Sequence, residues 1–544
     1  MKIARSVSDV LADHVVFDLE CIDRMYCNVY QPRLQHVGGV VGYLQQHLGL
    51  PIASTAPLAA VSDRFVAAIH AFAKATHVPW VDFVKGQRKD DVMHEQLKLF
   101  EASGRTEGVV FIGRAQEKTA VVRTEKRRNP ATGKSYPWIV RSTSMVNHFY
   151  FYCYDVDFGP FFVKFCSYFP YNAKLCVNGH HWAQQQAAQA GIGFTAMDNA
   201  FAAVDNVAAL QAICDSFGPA HIQALLDKWL ARLPHPFTAD DRAAGFDYNI
   251  SILQAEFSLT QILDAPVSGR IFFEHVIRDN LDIGRADHIG LIFNRHIYHG
   301  RKRSTQSRFR TRVITDGVTP SLHADYKHAT IKQYHKEGRA LRTETTINDP
   351  GDFYVRKGLV NLPALREIGF SANRRLLGVQ RLDHDPLAGT RHLHQILDPV
   401  TTATGTTIPG LRLGQPRSHA LLSALLTFRT QIAGFTNRDL RNLTGPLRGL
   451  HPDAVTAGQA TYDLRRLRTH GLIERVPHTH RYTVTDHGLQ TAMLLTRIHD
   501  RILPTSLADQ LDLASTSRLR KAALNYQHVL DTLADQNGIP ALRT

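Results

Sequence analysis

His148-Phe-Tyr-Phe-Tyr-Cys-Tyr-Asp-Val-Asp-Phe-Gly-Pro-Phe-Phe-Val-Lys-Phe-Cys-Ser-Tyr-Phe-Pro-Tyr171 reads as two strands joined at Asp157-Phe-Gly-Pro160. Twelve Phe and Tyr rings in so short a run exceed what a surface would expose, so the pair belongs in a core. Asp155, Asp157 and Lys164 interrupt the run, which excludes a membrane span, and no other stretch is apolar for long enough. N-terminal to the block, His14 to Glu20, Val78 to Val84 and Gly108 to Gly113 suit strands, and Ala60 to His77 and Asp91 to Ala102 suit helices. Lys126-Arg-Arg-Asn-Pro-Ala-Thr-Gly-Lys134 has the punctuation of an exposed turn between strands. Residues 1–181 are therefore expected to form an α/β region.

C-terminal to the block the pattern turns helical. Trp182 to Gln189, Ala208 to Phe217, Ala220 to Leu233, Asn249 to Leu263 and Ile271 to Leu281 are read as helices, interrupted by Pro234, Pro236 and Pro266. This predicts a helical subdomain over 182–286. His288 to Phe293, Arg308 to Thr315, Leu322 to Tyr334 and Ala340 to Ile347 then suit an antiparallel sheet with one charged face, followed by a helix from Leu362 to Gly378, giving a unit over 287–382. A Thr-, Gly-, Pro- and His-rich linker is expected over 383–415, a compact module over 416–503 and a helical tail over 504–544. The fold class is thus α+β and multi-domain: an α/β N-terminal region, a helical middle, a basic antiparallel sheet and a C-terminal winged helix.

The 544 residues carry 63 Lys and Arg against 49 Asp and Glu, a net charge of +14. Arg295 to Thr345 holds 12 basic and 4 acidic residues, and Arg417 to Arg481 holds 10 and 4, so these two segments account for the whole excess. Charge so concentrated points to a polyanionic partner, DNA or RNA. Six cysteines without a Cys-x-x-Cys pair indicate buried free thiols rather than a disulfide framework or zinc ribbon. The first residues form no signal-type apolar region, so a cytoplasmic protein is expected. The sequence leaves the oligomeric state open, a dimer included.

In the C-terminal module, Pro416 to Arg429, a segment N-capped by Thr436, and Thr456 to Gly471 read as three helices. Leu472-Ile-Glu-Arg-Val476 and Arg481-Tyr-Thr-Val-Thr485 follow as two short strands around Pro477-His-Thr-His480. Asp463-Leu-Arg-Arg-Leu-Arg-Thr-His-Gly-Leu-Ile-Glu-Arg475 with Tyr482-Thr-Val-Thr-Asp-His-Gly488 resembles the recognition helix and wing of MarR-like bacterial regulators over about 80 residues. The resemblance implies that Thr461, Arg465, Arg466 and Arg468 lie on or beside a helix entering a major groove. It places His478, His480 and Arg481 on a wing near phosphates. The remaining chain resembles a large uncharacterised bacterial family, which transfers no function.

Lys332-Gln-Tyr-His-Lys-Glu-Gly-Arg-Ala-Leu-Arg-Thr-Glu-Thr345 alternates basic and polar residues over two strands. Lys327, Lys332, Tyr334, Lys336, Arg339 and Arg342 are expected on one surface able to track phosphates, with Tyr326, Tyr334 or His335 stacking on bases. The stretch resembles part of the replication initiators of filamentous phages and plasmids, but their His-apolar-His metal motif is absent: His296-Ile-Tyr-His299 has another spacing, so no tyrosine nucleophile is carried over.

Phosphodiester chemistry would need paired carboxylates around Mg²⁺ or Mn²⁺. Asp18 and Glu20, two apart on a strand, match the Asp-x-Glu of DEDD-type exonucleases. Asp90 and Asp91 follow Lys85-Gly-Gln-Arg-Lys89 at a strand end, or open a helix; Asp155 and Asp157 precede Asn178-Gly-His-His181, or form a hairpin turn. Glu117 and Lys118, with Arg123 and Lys126, offer a phosphate-handling edge. No Walker lysine motif, Gly-x-Ser-x-Gly elbow or His-Glu-x-x-His helix is present. The expected function is nucleic-acid binding by the basic sheet and winged helix, in a ribonucleoprotein or mobile element. The alternatives are a divalent-metal-dependent nuclease or transposase-like strand-transfer enzyme, and a ligand-sensing transcriptional regulator.

Overall fold

The computed structural model describes residues 5–264, 266–295, 310–314, 320–336, 338–382, 385–428 and 434–503, with the single residues Lys521 and Asn525. The chain divides into two units, Met1–Asp385 and Pro386–Thr544. The first is organised on one eleven-stranded sheet. Its strands are β1 (Val15–Tyr30), β2 (Trp80–Asp82), β3 (Gly108–Arg128), β4 (Ser135–Asp155), β5 (Gly159–Cys166), β6 (Ala173–Asn178), β7 (Asn249–Leu263), β8 (Arg310–Ile314), β9 (Ser321–Tyr326), β10 (Ala329–Lys336) and β11 (Ala340–Ile347).

The spatial order is β8-β9-β10-β11-β7-β1-β6-β5-β4-β3-β2, antiparallel throughout except for the parallel pair β2–β3. This order is nearly palindromic. Central strands β1 and β7 pair with each other, and each is flanked by a four-stranded meander whose last strand, β6 or β11, closes back onto it. The sheet is thus two similar halves joined through their first strands.

The aromatic block forms the β4–β5 hairpin, as its alternation predicts. Phe149, Phe151, Phe161, Val163, Phe165 and Leu175 are at most 4% exposed on one face. Helix α1 (Leu58–Thr76) covers them in part, with Phe65 edge-on to Phe165 at 5.8 Å and Phe72 edge-on to Phe151 at 6.1 Å. Each such ring contributes about 1.5–3 kcal/mol by leaving water. On the second half, helix α2 (Leu362–Val379) comes so close that a Cβ at Gly369 would overlap the Phe257 ring. Asn373 of that helix accepts from Thr345 Oγ1 at 2.7 Å and donates to the Phe257 carbonyl at 2.9 Å. All six cysteines are buried, free and in the first unit, and burial pushes the thiols of Cys27 and Cys176 up to about 12.

Several expectations are corrected. Asn249–Leu263 is strand β7 rather than a helix. Register shifts at Ile252/Gln254, Ala255/Phe257 and Ile262/Leu263 break the period of two and imitate a helical spacing. His288–Phe293 lies in a helix, Ala286–Phe293, opened by Asp287 and closed by left-handed Asn294. Because β7 joins both halves, boundaries at 181/182 and 286/287 cut through one continuous sheet. The 383–415 segment is not a bare linker, since it holds a helix at Pro386–Leu397 and a strand pair, Val400–Thr401 with Thr407–Ile408. Ile396 and Leu411 pack into the core of the second unit. The expected 504–544 tail and His296–His299 lie outside the described residues, Lys521 and Asn525 excepted.

That second unit continues with helices Pro416–Phe428, Asn437–Leu447 and Ala457–Thr469, a hairpin of Ile473–Arg475 and Tyr482–Val484, and helix Asp486–Arg497. Thr436 and Thr456 form capping boxes with Asp439 and Gln459. Leu421, Leu425, Phe435, Leu440, Leu464, Leu467 and Leu495 make the core, with Phe428 stacked on Phe435 at 4.2 Å. Among the described residues no helix is long and apolar enough to cross a membrane.

Candidate nucleic-acid interface and carboxylate centre

The face opposite Phe149, Phe165 and Leu175 is polar in the second half; in the first half it is aromatic where helix Lys89–Ala102 packs against Phe111 and Tyr152, and polar around Glu117, Lys164 and Lys174. Directly opposed residues share a face, which gives one row through Arg312, His323, Lys332, Glu344 and Ser258 and another through Ser321, Tyr334, Arg342 and Thr260. In the first half the corresponding rows are Tyr26, Cys176, Phe162 and Tyr152, then Asn28, Lys174, Lys164 and Tyr150.

Arg342 is the hub of the second half. It is fully buried, and its guanidinium donates to Asp23 Oδ2 at 2.6 Å, Glu344 Oε1 at 2.6 Å and the Asn199 carbonyl at 2.8 Å, with His180 Nε2 at 3.2 Å. Burial opposes its charge, but Asp23 and Glu344 outweigh burial and hold its pKa above the ordinary value. Tyr334 donates to Glu344 at 2.9 Å. Glu256 lies opposite the Asp23–Arg24 bulge of β1, and burial, then the charge of Asp23, raise its carboxyl to about 7 against the pull of Arg24. His180, buried and beside Arg342, is pushed well below the usual imidazole value. The arrangement combines three carboxylates, one of them titrating near neutrality, with a phenol whose proton already points at a carboxylate.

In the first half Glu117 accepts from Lys89 at 2.8 Å, Lys164 at 2.6 Å and the Tyr150 hydroxyl. Burial resists ionisation, yet the bonds from Lys164, Lys89 and Tyr150 hold the Glu117 carboxyl at about 2. Lys174 has no hydrogen bond or ion pair among the described residues, and burial together with Lys164 lowers its pKa. Lys164, Lys174, Lys357, His148, Asn28 and Ser251 help line a cavity of about 420 Å³. A second cavity, about 740 Å³, opens between the Lys85–Lys89 loop and Glu117.

The six acidic residues singled out in sequence do not converge. Asp18 is exposed, and Glu20, its carboxyl raised by burial against Arg374, accepts from that arginine at 2.6 Å. Asp90 and Asp91 occupy the first turn of helix Lys89–Ala102, where acids favour the helix dipole. Asp90 also lines a cavity of about 290 Å³ with Arg24, Tyr26, His181 and Asp198. Asp155 is a buried structural acceptor for Trp229 and Lys228, both at 2.7 Å, and it accepts from the Asp157 backbone at the hairpin turn. The three-residue groups with metal-ligand proximity among the described residues are instead His419, His499, Asp500 and His328, Asp349, Asp352.

The basic residues divide similarly. Lys332 sits half-buried 4.1 Å from the Tyr334 ring, Arg339 is exposed, and Lys327 occupies the left-handed β9–β10 turn. Lys336 is buried, donating to Asp198 at 3.1 Å and Asn199 at 3.0 Å, so it and Arg342 are removed from the expected surface. The segment around Asn199, distant in sequence, covers them. In the second unit Thr461, Arg465 and Arg468 are exposed on helix Ala457–Thr469, and His480 and Arg481 are exposed on the hairpin. Arg466 is instead buried, donating to the carbonyls of Pro409 and Gly410, and so ties down the preceding segment.

Sequence reading missed Asp23, Glu256, Glu344, Lys164, Lys174 and Lys357. The Asp23-Arg24 charge pair inside an apolar strand was a usable signal; the isolated lysines of the first half were not. Comparison with family models, with curated proteins and with solved structures gives no match.

Proposed function

We propose that this chain binds nucleic acid along the polar face of its eleven-stranded sheet, and that its C-terminal unit is a winged helix contacting duplex DNA. The observation that carries the first statement is Lys174, a partly buried cation with no ion pair among the described residues, beside Lys164 in a cavity that Lys357 and His148 also line. Three helices, a two-stranded hairpin and exposed Arg465 and Arg468 support the second. The test is binding of labelled single-stranded DNA, duplex DNA and structured RNA across a salt series. Affinity falling steeply with salt is expected, and Arg465→Ala with Arg468→Ala weakens duplex binding. Absence of salt-sensitive binding to all three overturns the reading.

A second reading, Mg²⁺- or Mn²⁺-dependent cleavage or strand transfer, rests on Glu256, whose carboxyl is raised beside Asp23 and Glu344; the three carboxylates are not among the groups close enough to share one ion as they stand. A carboxyl near 7 gains most from a divalent cation, which would stabilise its ionised form and polarise a phosphodiester. Metal-dependent cleavage lost in Glu256→Gln and Glu344→Gln, but kept in Asp18→Asn, supports it; no cleavage with either metal overturns it.

A further inference from the structure

The strongest feature outside the centres described above is the far end of the β3–β4 hairpin. β5 pairs with β4 only from His148 onward, so Ser135–Asn147 pairs with Gln116–Arg128 alone, a two-stranded ribbon about 40 Å long. It is anchored well past its base: Val121, Val122 and Ile139 are buried, and the Thr55 backbone donates to Thr124 Oγ1 at 2.8 Å, so the part beyond the anchor is Glu125–Arg128 with Ser135–Trp138. Its tip is preorganised as well. Asn129 Oδ1 accepts from the Ala131 backbone at 2.9 Å, Gly133 takes a left-handed φ of 66°, and Arg128 Nε donates to the Gly133 carbonyl at 2.9 Å.

Between Lys118 and Arg141 the ribbon carries Lys118, Arg123, Lys126, Arg127, Arg128, Lys134 and Arg141 against Glu125 alone. It also exposes aromatic surface that a solvated strand pair would not keep. Tyr136 is 40% and Trp138 is 44% exposed, edge-on to each other at 6.3 Å, with the Arg127 guanidinium 4.9 Å from the Trp138 ring. The alternation of β3 and β4 puts Arg127, Tyr136 and Trp138 on the same side as Glu117, hence on the polar side of the sheet.

We infer that this ribbon is a finger that holds unpaired bases of a single-stranded nucleic acid, by stacking on Trp138 and Tyr136 while the surrounding cations follow the phosphates. Accessible rings beside guanidinium groups suit splayed bases, whereas the bases of a duplex are already stacked on one another. The inference rests on the nucleic-acid reading and adds to it a site and a strand preference.

The test compares the full-length protein with Trp138→Ala, Trp138→Phe and the Arg127→Ala/Arg128→Ala pair, on a labelled oligothymidylate and on a duplex of equal length. Trp138→Ala is expected to lower single-strand affinity about ten-fold and leave duplex affinity unchanged, while Trp138→Phe retains most of the affinity. The arginine pair should reduce the slope of log affinity on log salt by about 1.4 for the single strand. Circular dichroism matching the wild type separates loss of binding from loss of fold. Wild-type single-strand affinity in Trp138→Ala overturns the finger and leaves the sheet-face reading standing. Equal losses on both substrates overturn the strand preference, and a wild-type protein that binds neither overturns both readings.

Discussion

The two halves of the sheet repeat one backbone plan and differ in how they treat a cation at the same place. Four residues along from the Arg24–Asn178 pair, Lys174 stands between Asn28 and Lys164; four residues along from the Glu256–Thr346 pair, Arg342 stands between Thr260 and Tyr334. Arg342 is closed in by Asp23 and Glu344 at 2.6 Å, whereas Lys174 makes no ion pair among the described residues, feels Glu117 only through its charge, and lines a cavity. A buried cation with two carboxylates is part of the framework. One without them has its electrostatic demand unmet, and a ligand oxyanion can meet it. The difference assigns structure to one half and recognition to the other on the same polar face.

The comparison breaks most visibly at Arg342. Arg342→Met leaves Asp23 and Glu344 buried without their partner and should cost about 3–5 kcal/mol in chemical denaturation; a loss below about 1 kcal/mol would mean that both halves tolerate lone charges. Glu256 supplies the next largest effect. Its folded pKa, about 7, lies above the ordinary 4.5, so the folded state favours the protonated form. Stability is then greatest below pH 4.5 and falls as pH rises through 7, by about 2–3 kcal/mol. Glu256→Gln should remove that slope from denaturation measured between pH 5 and 8, and an unchanged slope would detach Glu256 from the centre.

Lys174→Met sharpens the other side. Stability should hold within about 1 kcal/mol or rise slightly, because an unpaired charge leaves a partly buried place. Single-strand affinity should fall with a salt slope lower by about 0.7, and a marked loss of stability with intact affinity would make Lys174 structural like Arg342. The smallest effect is expected at Asp91→Asn, which alters only a helix-end charge worth about 0.5 kcal/mol and should leave any metal-dependent cleavage unchanged.

Period-two alternation made the aromatic hairpin and strand β11 legible, because those strands keep their register without interruption, whereas the run Leu322 to Tyr334 is in fact the two strands β9 and β10, joined at the left-handed Lys327. The same rule failed at β7, which carries three register shifts and whose buried Ile252, Ala255, Leu259 and Ile262 recur at spacings of three and four that suit a helix equally well. Without β7, the continuity between the halves was invisible. Lys332 and Arg342 look alike in a list of alternating residues; what buries the second is Asn199, more than a hundred positions away. Arg466 was misread for the same reason: its helical phase was visible, but the carbonyls of Pro409 and Gly410 that claim it were not. Asp90 and Asp91 show the opposite case, in which the local reading as helix-opening acids sufficed.

The buried thiols have a practical consequence. Cys21, Cys27, Cys153, Cys166 and Cys176 are distributed over β1, β4, β5 and β6, Cys214 lies on a helix of the same unit, and residues 386–544 contain no cysteine. An alkylating reagent can react with them only when the sheet opens, and the high thiol pKa values of Cys27 and Cys176 keep the reactive thiolate scarce in the closed form. The rate of their modification is therefore an internal clock for opening of the first unit, to which the second unit contributes no signal.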